Sequence, residues 1–212
     1  MKKLSLPSVT LVIADCVDIN RAEKSLYHNL ASVNFADVKL FTSLANNNPY
    51  AVKIKPLTNI VEYSNFILFN MSKYVSTEHI LITQWDGFIW HPELWEDEFL
   101  NYDYIGAPWY GSQLPFTWWN KNHDVGNGGF SIRSKKLMDT IRISKCVDQC
   151  TSADNSFGIP GEDVMIGREY RKSLEELGFT FAPRDVASRF SMESGPYRKT
   201  FGVHARDRGI LL

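Results

Sequence analysis

The sequence has no long apolar run. Hydrophobic residues make up 44% of its 212 positions, yet no stretch approaches the roughly 18 consecutive apolar residues needed to cross a bilayer. The N-terminus starts like an export signal, but Pro7 and Asp15 restrict its apolar run to residues 9–14, which is shorter than a signal peptide requires. We therefore predict a cytoplasmic protein without a transmembrane segment, and peripheral contact with the inner membrane face is left open.

The sequence also has few cysteines and almost no net charge. The three cysteines, Cys16, Cys146 and Cys150, are an odd number in a chain without an export signal, which favours reduced thiols over disulfides. The 23 basic and 24 acidic side chains leave a net charge of -1. This balance excludes the broad basic field of a nucleic-acid-binding protein, so no nucleic-acid partner is predicted.

The first part of the chain instead contains short apolar, β-branched runs that alternate with helical segments. Strands are predicted over residues 9–14, 38–42 and 79–83. Between them, one helix is predicted to be capped by Asn20 with Glu23, and another over residues 59–72 to be capped by Thr58. This alternation predicts an α/β fold with parallel strands, and the length favours one domain.

Beyond residue 88 the predicted elements become shorter and more varied. The patterns predict a short helix over residues 92–100, strands over 104–106 and 129–133, helices over 134–147 and 162–177, and a Trp-rich loop over 110–124.

One carboxylate stands where ligands of α/β proteins bind. Asp86 directly follows the strand over residues 79–83, and the carboxyl ends of strands in an open α/β sheet face the ligand crevice. Gly87 permits close backbone approach. A plain Asp-Gly turn explains the same two residues without any function.

Three further segments carry candidate functional groups. Glycines around Asn127 form a backbone that can lie against a ligand or make a tight turn. Glu162 and Asp163 begin a helix, where the helix dipole alone favours acids, but one of them could accept a proton from an attacking hydroxyl. His204, near the chain end, is either a ligand or structural.

The order and spacing of these segments resemble a family of glycosyltransferase-like proteins long described only as a domain of unknown function. The resemblance extends from about residue 80 to residue 204, which is well over half of the chain, whereas the first eighty residues match only in general character. In chain order they are QWDGF at 84–88, WEDEF at 95–99, YDYIGAPW at 102–109, GNGGFSIR at 126–133, ED at 162–163, FAP at 181–183 and FGVH at 201–204.

The resemblance implies a single GT-A-type, Rossmann-like domain over residues 1–212, with a mainly parallel central sheet flanked by helices. Residues 1–88 would form the nucleotide-binding half and residues 89–212 the sugar and acceptor half. The implied activity moves a sugar from a UDP- or GDP-linked donor to a hydroxyl of a glycan or glycolipid, with inversion at the anomeric carbon.

The resemblance also implies roles for particular residues. Asp86 and His204 would hold Mn²⁺ or Mg²⁺ on the donor diphosphate, and an imidazole ligand favours Mn²⁺. Asp163 would be the catalytic base, with Glu162 as the alternative. The donor would be bound by Gln84, Asp86, Gly87, Asn127, Gly128 and Gly129. Apart from the resemblance, aromatic faces stack on sugar rings, so the acceptor sugar is predicted to stack on Trp118, Trp119 and Trp109.

The sequence departs from the usual metal-binding motif at one position. That motif has two aspartates flanking one residue, and Gln84 stands in the first position. An amide can still bind a ribose hydroxyl or offer one oxygen, but it brings no charge to a metal. The departure therefore leaves a weak or a dispensable metal dependence open.

Two other classes of function are open at the sequence level. A sugar-nucleotide nucleotidyltransferase would want a Gly-rich, basic loop after its first strand, and the segment from Asp15 to Asp18 is acidic. A carbohydrate-binding module would use the tryptophans without turnover. Release of nucleotide from a sugar donor separates an enzyme from such a module.

Overall fold

The computed structural model describes residues 3–110, 125–151, 161–193 and 195–204. Its strands, in chain order, are β1 (Leu4–Ala14), β2 (Val33–Thr42), β3 (Ala51–Lys53), β4 (His79–Thr83), β5 (Gly87–Ile89), β6 (Tyr104–Gly106), β7 (Phe130–Ser134), β8 (Ser191–Met192) and β9 (Gly202–His204). The α-helices are α1 (Ile19–Ser32), α2 (Ile60–Phe69), α3 (Lys135–Ser144), α4 (Glu162–Val164), α5 (Arg171–Glu176) and α6 (Arg184–Phe190).

Six strands form the central sheet, in the order β3-β2-β1-β4-β7-β6. Strand β1 runs parallel to β2 and β4, and β2 runs parallel to β3. Only β7 is antiparallel to its neighbours β4 and β6. The predicted α/β fold with a mainly parallel sheet is confirmed. Strands from both sides of residue 88 share this sheet, and the division into two functional halves stays a prediction.

Strand β1 is buried on both faces, which explains its continuous apolar run. Leu11 and Ile13 point into one apolar cluster, which includes residues of α1 and α6, whereas Val12 points into the other, which includes residues of α2 and α3. Successive side chains of a strand alternate between faces, so a strand covered on both sides must be apolar throughout. The helices therefore flank the sheet on both faces, as predicted.

The element boundaries differ from the sequence prediction at the start of the chain. Strand β1 extends back to Leu4 through Pro7, and its register with β2 shifts between Leu6 and Thr10. Proline has no N–H to donate to a ladder, which suits a local irregularity. Strand β2 begins directly after α1, at Val33, and the short edge strand β3 was not predicted.

The predicted helix caps were each wrong by one or two residues. Asp18, not Asn20, caps α1, because its side chain accepts from the backbone N–H groups of Asn20 and Arg21. Asn59, not Thr58, caps α2 by accepting from Glu62 N at 3.0 Å. An aspartate or asparagine at the cap satisfies N–H groups that no helical carbonyl can reach.

Two predicted helices are not continuous. The segment over 92–100 consists of two 3₁₀ turns, Pro92–Leu94 and Asp97–Asn101. The helix over 162–177 is interrupted by a π turn, Met165–Glu169, closed by Tyr170 N donating to Met165 O at 2.9 Å. Such π turns are frequent at functional sites. No helix in the described ranges is long and apolar enough to cross a membrane.

A second, smaller sheet pairs the last described strand, β9, with β5, which follows β4 in the chain. Its order is β5-β9-β8, with β9 antiparallel to β5 and parallel to β8. In this ladder His204 stands opposite Gly87. The small sheet therefore brings His204 beside the turn that contains Asp86.

Candidate active site

The turn after β4 is fixed by its own backbone and by α1. Gly87 N donates to Gln84 O at 3.0 Å, which turns the chain at Asp86. The buried hydroxyl of Ser25 donates to Gly87 O at 2.9 Å, and the side chain of Asn29 accepts from Ile89 N at 2.7 Å. Each of these polar side chains on the buried face of α1 satisfies a backbone group at or just after the turn. Their polarity on a buried helix face was a sequence signal that we missed.

Asp86 and His204 are in direct contact. His204 Nε2 lies 3.2 Å from Asp86 Oδ1, and His204 Nδ1 lies 3.0 Å from Glu193 Oε1. Asp86 and His204 are only 4% and 8% exposed. The structure thus brings together two residues that the sequence separates widely. Glu193 was not predicted, and no motif in the sequence indicated it.

This buried cluster is strongly acidic. Burial lowers the pKa of His204, but the hydrogen bonds and charges of Asp86 and Glu193 outweigh it and raise the pKa to about 10. The imidazole is therefore protonated at neutral pH when no metal ion is bound, and a metal ion could bind Nε2 only by displacing its proton. One imidazolium between two carboxylates leaves a net negative charge, which favours a further cation at this position.

The arrangement around His204 suits a divalent metal ion. Glu193 engages Nδ1, which orients the ring and aims Nε2 at Asp86, as the outer carboxylate does in carboxylate–histidine–metal sites. Asp86 and His204 therefore fit two ligands of such an ion. The described residues contain no group of three or more His, Cys, Asp or Glu side chains placed to hold a metal. The other ligands would have to come from substrate and water.

Residues 126–129, which we call the glycine loop, lie between this cluster and the acidic pair Glu162 and Asp163. A Cβ on Gly129 would stand 2.3 Å from His204 Nε2, and a Cβ on Gly87 would stand 2.1 Å from Gly129 O. A Cβ on Gly128 would stand 2.7 Å from Glu162 Oε1. Asn127 is buried, and its side chain accepts from Gly129 N at 3.2 Å. Glycine is therefore required here because other groups approach the backbone too closely for a side chain.

This packing makes a prediction for Gly129→Ala. The added methyl group would collide with the imidazole of His204, which strands β5 and β9 hold in place. Overpacking of a well-packed site costs about 1–3 kcal/mol, so the free energy of unfolding in urea should fall by that amount. A variant as stable as the parent protein would contradict the close contact between Gly129 and His204.

Glu162 is held in a buried ion pair. Arg133 Nη2 lies 2.7 Å from Glu162 Oε1, and the Ser64 hydroxyl lies 3.3 Å from Oε2. Arg133 is fully buried, and its guanidinium lies 5.1 Å from the centroid of the Tyr104 ring. With both carboxylate oxygens engaged, Glu162 anchors the start of α4 to β7 and α2.

Asp163 is placed differently from its neighbour. Its Oδ2 accepts from Gly128 N at 2.9 Å, and its Oδ1 accepts from Val164 N at 2.8 Å. Burial and the negative charge of Glu162 raise the pKa of Asp163 to about 7, against the opposing charge of Arg133. A carboxylate with a pKa near neutrality is suited to accept and return a proton.

A cavity of about 270 Å³ opens beside the Asp86 turn. It lies at the carboxyl ends of β1 and β4 and at the start of α2, and Gln84 and Trp85 line it. In its wall, the Arg21 guanidinium lies 5.0 Å from the Trp85 ring centroid, and Arg21 Nε donates to Asp15 at 2.8 Å. Sequence reasoning missed Asp15 and Arg21 as pocket residues, although the position of Asp15 at the end of the first strand was a usable signal.

The proposed acceptor tryptophans are only partly described. Trp109 is 7% exposed, and its ring packs on Gly126 and under Arg168, whose guanidinium lies 4.5 Å from the ring centroid. Trp118 and Trp119 lie outside the described residues. Stacking of an acceptor sugar on any of the three stays a prediction.

The fold is similar to that of solved glycosyltransferases, at low sequence identity. A mannosyltransferase from Pyrobaculum calidifontis, solved with GDP-Man and Mn²⁺, matches with a TM-score of 0.52 and 10% identity over 85% of this chain and 57% of its own. The glycosyltransferase GlyE from Streptococcus pneumoniae TIGR4 matches with a TM-score of 0.52 and 12% identity over 98% of this chain and 55% of its own. The present chain thus spans little more than half of either protein.

A third structure matches over nearly its whole length. A glycosyltransferase involved in glycosylation of the major capsid of PBCV-1 gives a TM-score of 0.50 and 13% identity over 96% of this chain and 95% of its own. These likenesses show that the chain has a GT-A-like fold.

Sequence comparison identifies a family for the chain but no activity. No curated protein matches it. A family model described as "Protein of unknown function (DUF5672)" matches residues 50–204, which include Asp86, the glycine loop, Asp163 and His204. The chain therefore belongs to the DUF5672 family.

Proposed function

We propose that the protein is an inverting glycosyltransferase that uses a nucleotide-diphosphate sugar. The observation that carries this proposal is the position of the glycine loop, which touches His204 at Gly129 and Asp163 at Gly128. A group suited to the leaving diphosphate and a group suited to the attacking hydroxyl are therefore held on either side of one short backbone. The GT-A-like fold of the chain supports the same class of reaction.

The donor would extend along the carboxyl edge of the sheet. Its nucleoside would occupy the cavity lined by Gln84 and Trp85, where Gln84 could bind a ribose hydroxyl. Its diphosphate would lie near Asp86, and the sugar would rest on Gly87, Asn127, Gly128 and Gly129. A Mn²⁺ or Mg²⁺ ion held by Asp86 and His204 would neutralise charge on the departing diphosphate.

Asp163 would act as the base. As the acceptor oxygen forms its bond to the anomeric carbon, Asp163 takes the hydroxyl proton, and the bond from that carbon to the diphosphate oxygen breaks with inversion. Glu162, paired with Arg133, would hold Asp163 in place rather than react. The acceptor would be a hydroxyl of a glycan or glycolipid, stacked on Trp109, Trp118 and Trp119, and the reaction would take place in the cytoplasm.

One contact favours this reaction over nucleotidyl transfer. In a nucleotidyltransferase, the loop after β1 would have to donate its backbone N–H groups to a nucleoside triphosphate. Here Asp15 Oδ1 accepts from Val17 N at 2.7 Å and from Asp18 N at 3.0 Å. A buried carboxylate thus occupies the donors that a phosphate would need and repels a phosphate as well.

The proposal is tested with a panel of UDP- and GDP-sugars, with Mn²⁺ or with a chelator. We expect one donor to raise the melting temperature by mass action and to release free nucleotide slowly without an acceptor. A carbohydrate-binding module would release no nucleotide, and a nucleotidyltransferase would instead form pyrophosphate from a sugar phosphate and a nucleoside triphosphate. Either result would replace the proposed function.

A further inference from the structure

Two arginines meet on one tyrosine beside the candidate active site. The guanidinium carbon of Arg184 lies 4.5 Å from the ring centroid of Tyr110, and that of Arg198 lies 5.4 Å from it. Arg198 Nη1 also donates to the Tyr110 hydroxyl. We refer to Tyr110, Arg184 and Arg198 as the Tyr110 cluster. Like charges on one ring repel each other, so a cluster of this kind is stabilised by an anion.

Arg198 has an unoccupied hydrogen-bonding edge. Its Nε and Nη2 atoms are buried, and neither meets an acceptor in the described part of the chain. These two N–H groups form one side of the guanidinium fork, which binds a carboxylate or phosphate through two parallel hydrogen bonds. Each buried donor without a partner is costly, so the geometry points to an oxyanion that no described residue supplies.

Arg189, on the same helix as Arg184, has acceptors for the corresponding Nε and Nη2 groups. Its Nε donates to Glu96 at 2.9 Å, and its Nη2 donates to Glu96 at 2.9 Å and to Glu98 at 2.8 Å. Within the described residues, Arg198 forms no such ion pair. The comparison separates an arginine with a structural partner from one for which no described residue supplies a partner.

The Tyr110 cluster adjoins the candidate active site on two sides. Tyr110 follows Trp109, whose ring packs on Gly126 of the glycine loop. On the other side, a Cβ on Gly195 would stand 2.4 Å from the Tyr110 ring, and Gly195 is two positions from Glu193, which engages His204. Since these connections span only one and two positions of the chain, we expect an anion on Arg198 near the groups proposed to act on the donor.

We propose that the Arg198 fork, supported by Tyr110 and Arg184, binds a phosphate group of a substrate. In assigning that phosphate to a reactant this proposal rests on the proposed function. The phosphate belongs either to the diphosphate of the donor or to a phosphorylated acceptor. The chemistry is the same in both cases, namely a tetrahedral oxyanion that presents two oxygens to Nε and Nη2.

The test measures binding by calorimetry for the parent protein and for Arg198→Gln, Arg198→Lys and Tyr110→Phe. We expect Arg198→Gln to lower the affinity for uridine or guanosine diphosphate about 10–100-fold, the range for hydrogen bonds to charged groups. Arg198→Lys should recover little, because an ammonium has no fork. Affinity for the free nucleoside should not change in any variant, which also shows that the pocket is folded. Arg189→Gln is the matched control and should bind as the parent protein does.

A second arm identifies the source of the phosphate. If the donor diphosphate fills the fork, inorganic phosphate should not bind to the protein saturated with nucleoside diphosphate. If the fork serves an acceptor, phosphate should bind to that complex and lose this binding in Arg198→Gln.

Failure of the proposed function would look different. If the protein binds pyrophosphate through Arg198 but binds no nucleoside diphosphate, the result supports the oxyanion site and contradicts the proposed glycosyltransferase function. The site itself is overturned if neither nucleoside diphosphate, pyrophosphate nor phosphate depends on Arg198.

Discussion

Asp86→Asn should abolish most sugar transfer while leaving the fold intact. The substitution keeps the shape of the side chain and removes its charge, at a buried position 3.2 Å from His204 Nε2. Removing one group that stabilises developing charge in a water-excluded site costs about 10²–10³-fold in kcat. The expected result is such a loss of turnover with near-native circular dichroism, measured as nucleotide released in the presence of acceptor and Mn²⁺.

A matched control comes from an exposed carboxylate. Asp97 accepts from Trp95 Nε1 at 2.8 Å, and an asparagine can accept the same bond. Asp97→Asn should therefore turn over at the parent rate. If folded Asp86→Asn keeps comparable activity, Asp86 is a structural partner of His204 and the donor site lies elsewhere.

Asp163→Asn should lower kcat about 10²–10⁴-fold, the usual contribution of a general base. Donor affinity, followed by calorimetry, should stay nearly constant, because a base acts on the chemical step rather than on ground-state binding. The parent enzyme should also show a rise of kcat/KM with pH, with a midpoint near 7, since the pKa of Asp163 is raised to about 7 and only its charged form accepts a proton.

Glu162→Gln separates the two neighbouring acids. Loss of its charge removes one of the causes that raise the pKa of Asp163, so the rise in activity should move to lower pH. It also leaves Arg133 buried without its ionic partner, and breaking a buried pair costs about 3–5 kcal/mol of stability. If Glu162→Gln instead loses kcat without loss of stability, and Asp163→Asn does neither, the roles of the two acids are exchanged.

Charge linkage gives an independent check on Asp163. A carboxyl group whose pKa is raised on folding binds more protons in the native state than in the unfolded state. The stability that it contributes is therefore greatest at low pH and declines as pH rises from about 4 toward 7. Asp163→Asn should lose this component of the pH dependence, whereas substitution of a purely structural carboxylate with a lowered pKa would change stability in the opposite sense.

Local sequence patterns predicted the parts of the fold that depend on local physics. The continuous apolar runs of β1 and β4 indicate buried strands, the helical pattern indicates α3, and all three were predicted. Strands β5 and β9 were harder, because each has three residues and is stabilised by a partner distant in sequence. Three residues are too few for a period to be recognised, although β6, which is equally short, was predicted over residues 104–106.

The candidate site divides in the same way. Asp86, Asp163 and the glycine loop could be proposed as site residues because each occurs at the end of a regular element, and their roles stay predictions. Glu193 and the Arg198 edge could not, since their importance comes only from what tertiary packing places beside them. The resemblance implied Asp163 rather than Glu162 as the base, but the local sequence shows only two adjacent acids, and the structure distinguishes them by pairing Glu162 with Arg133.

The position of β9 in the small sheet affects the order in which the protein can become active. Its pairing with β5 joins segments more than a hundred residues apart, and contacts of such long range form late, because closing a large loop is entropically unfavourable. A nascent or partly unfolded chain can therefore assemble the large sheet and still lack His204 beside Asp86. Sugar-donor chemistry would then begin only when the last described strand has docked, which makes catalytic competence a reporter of complete folding.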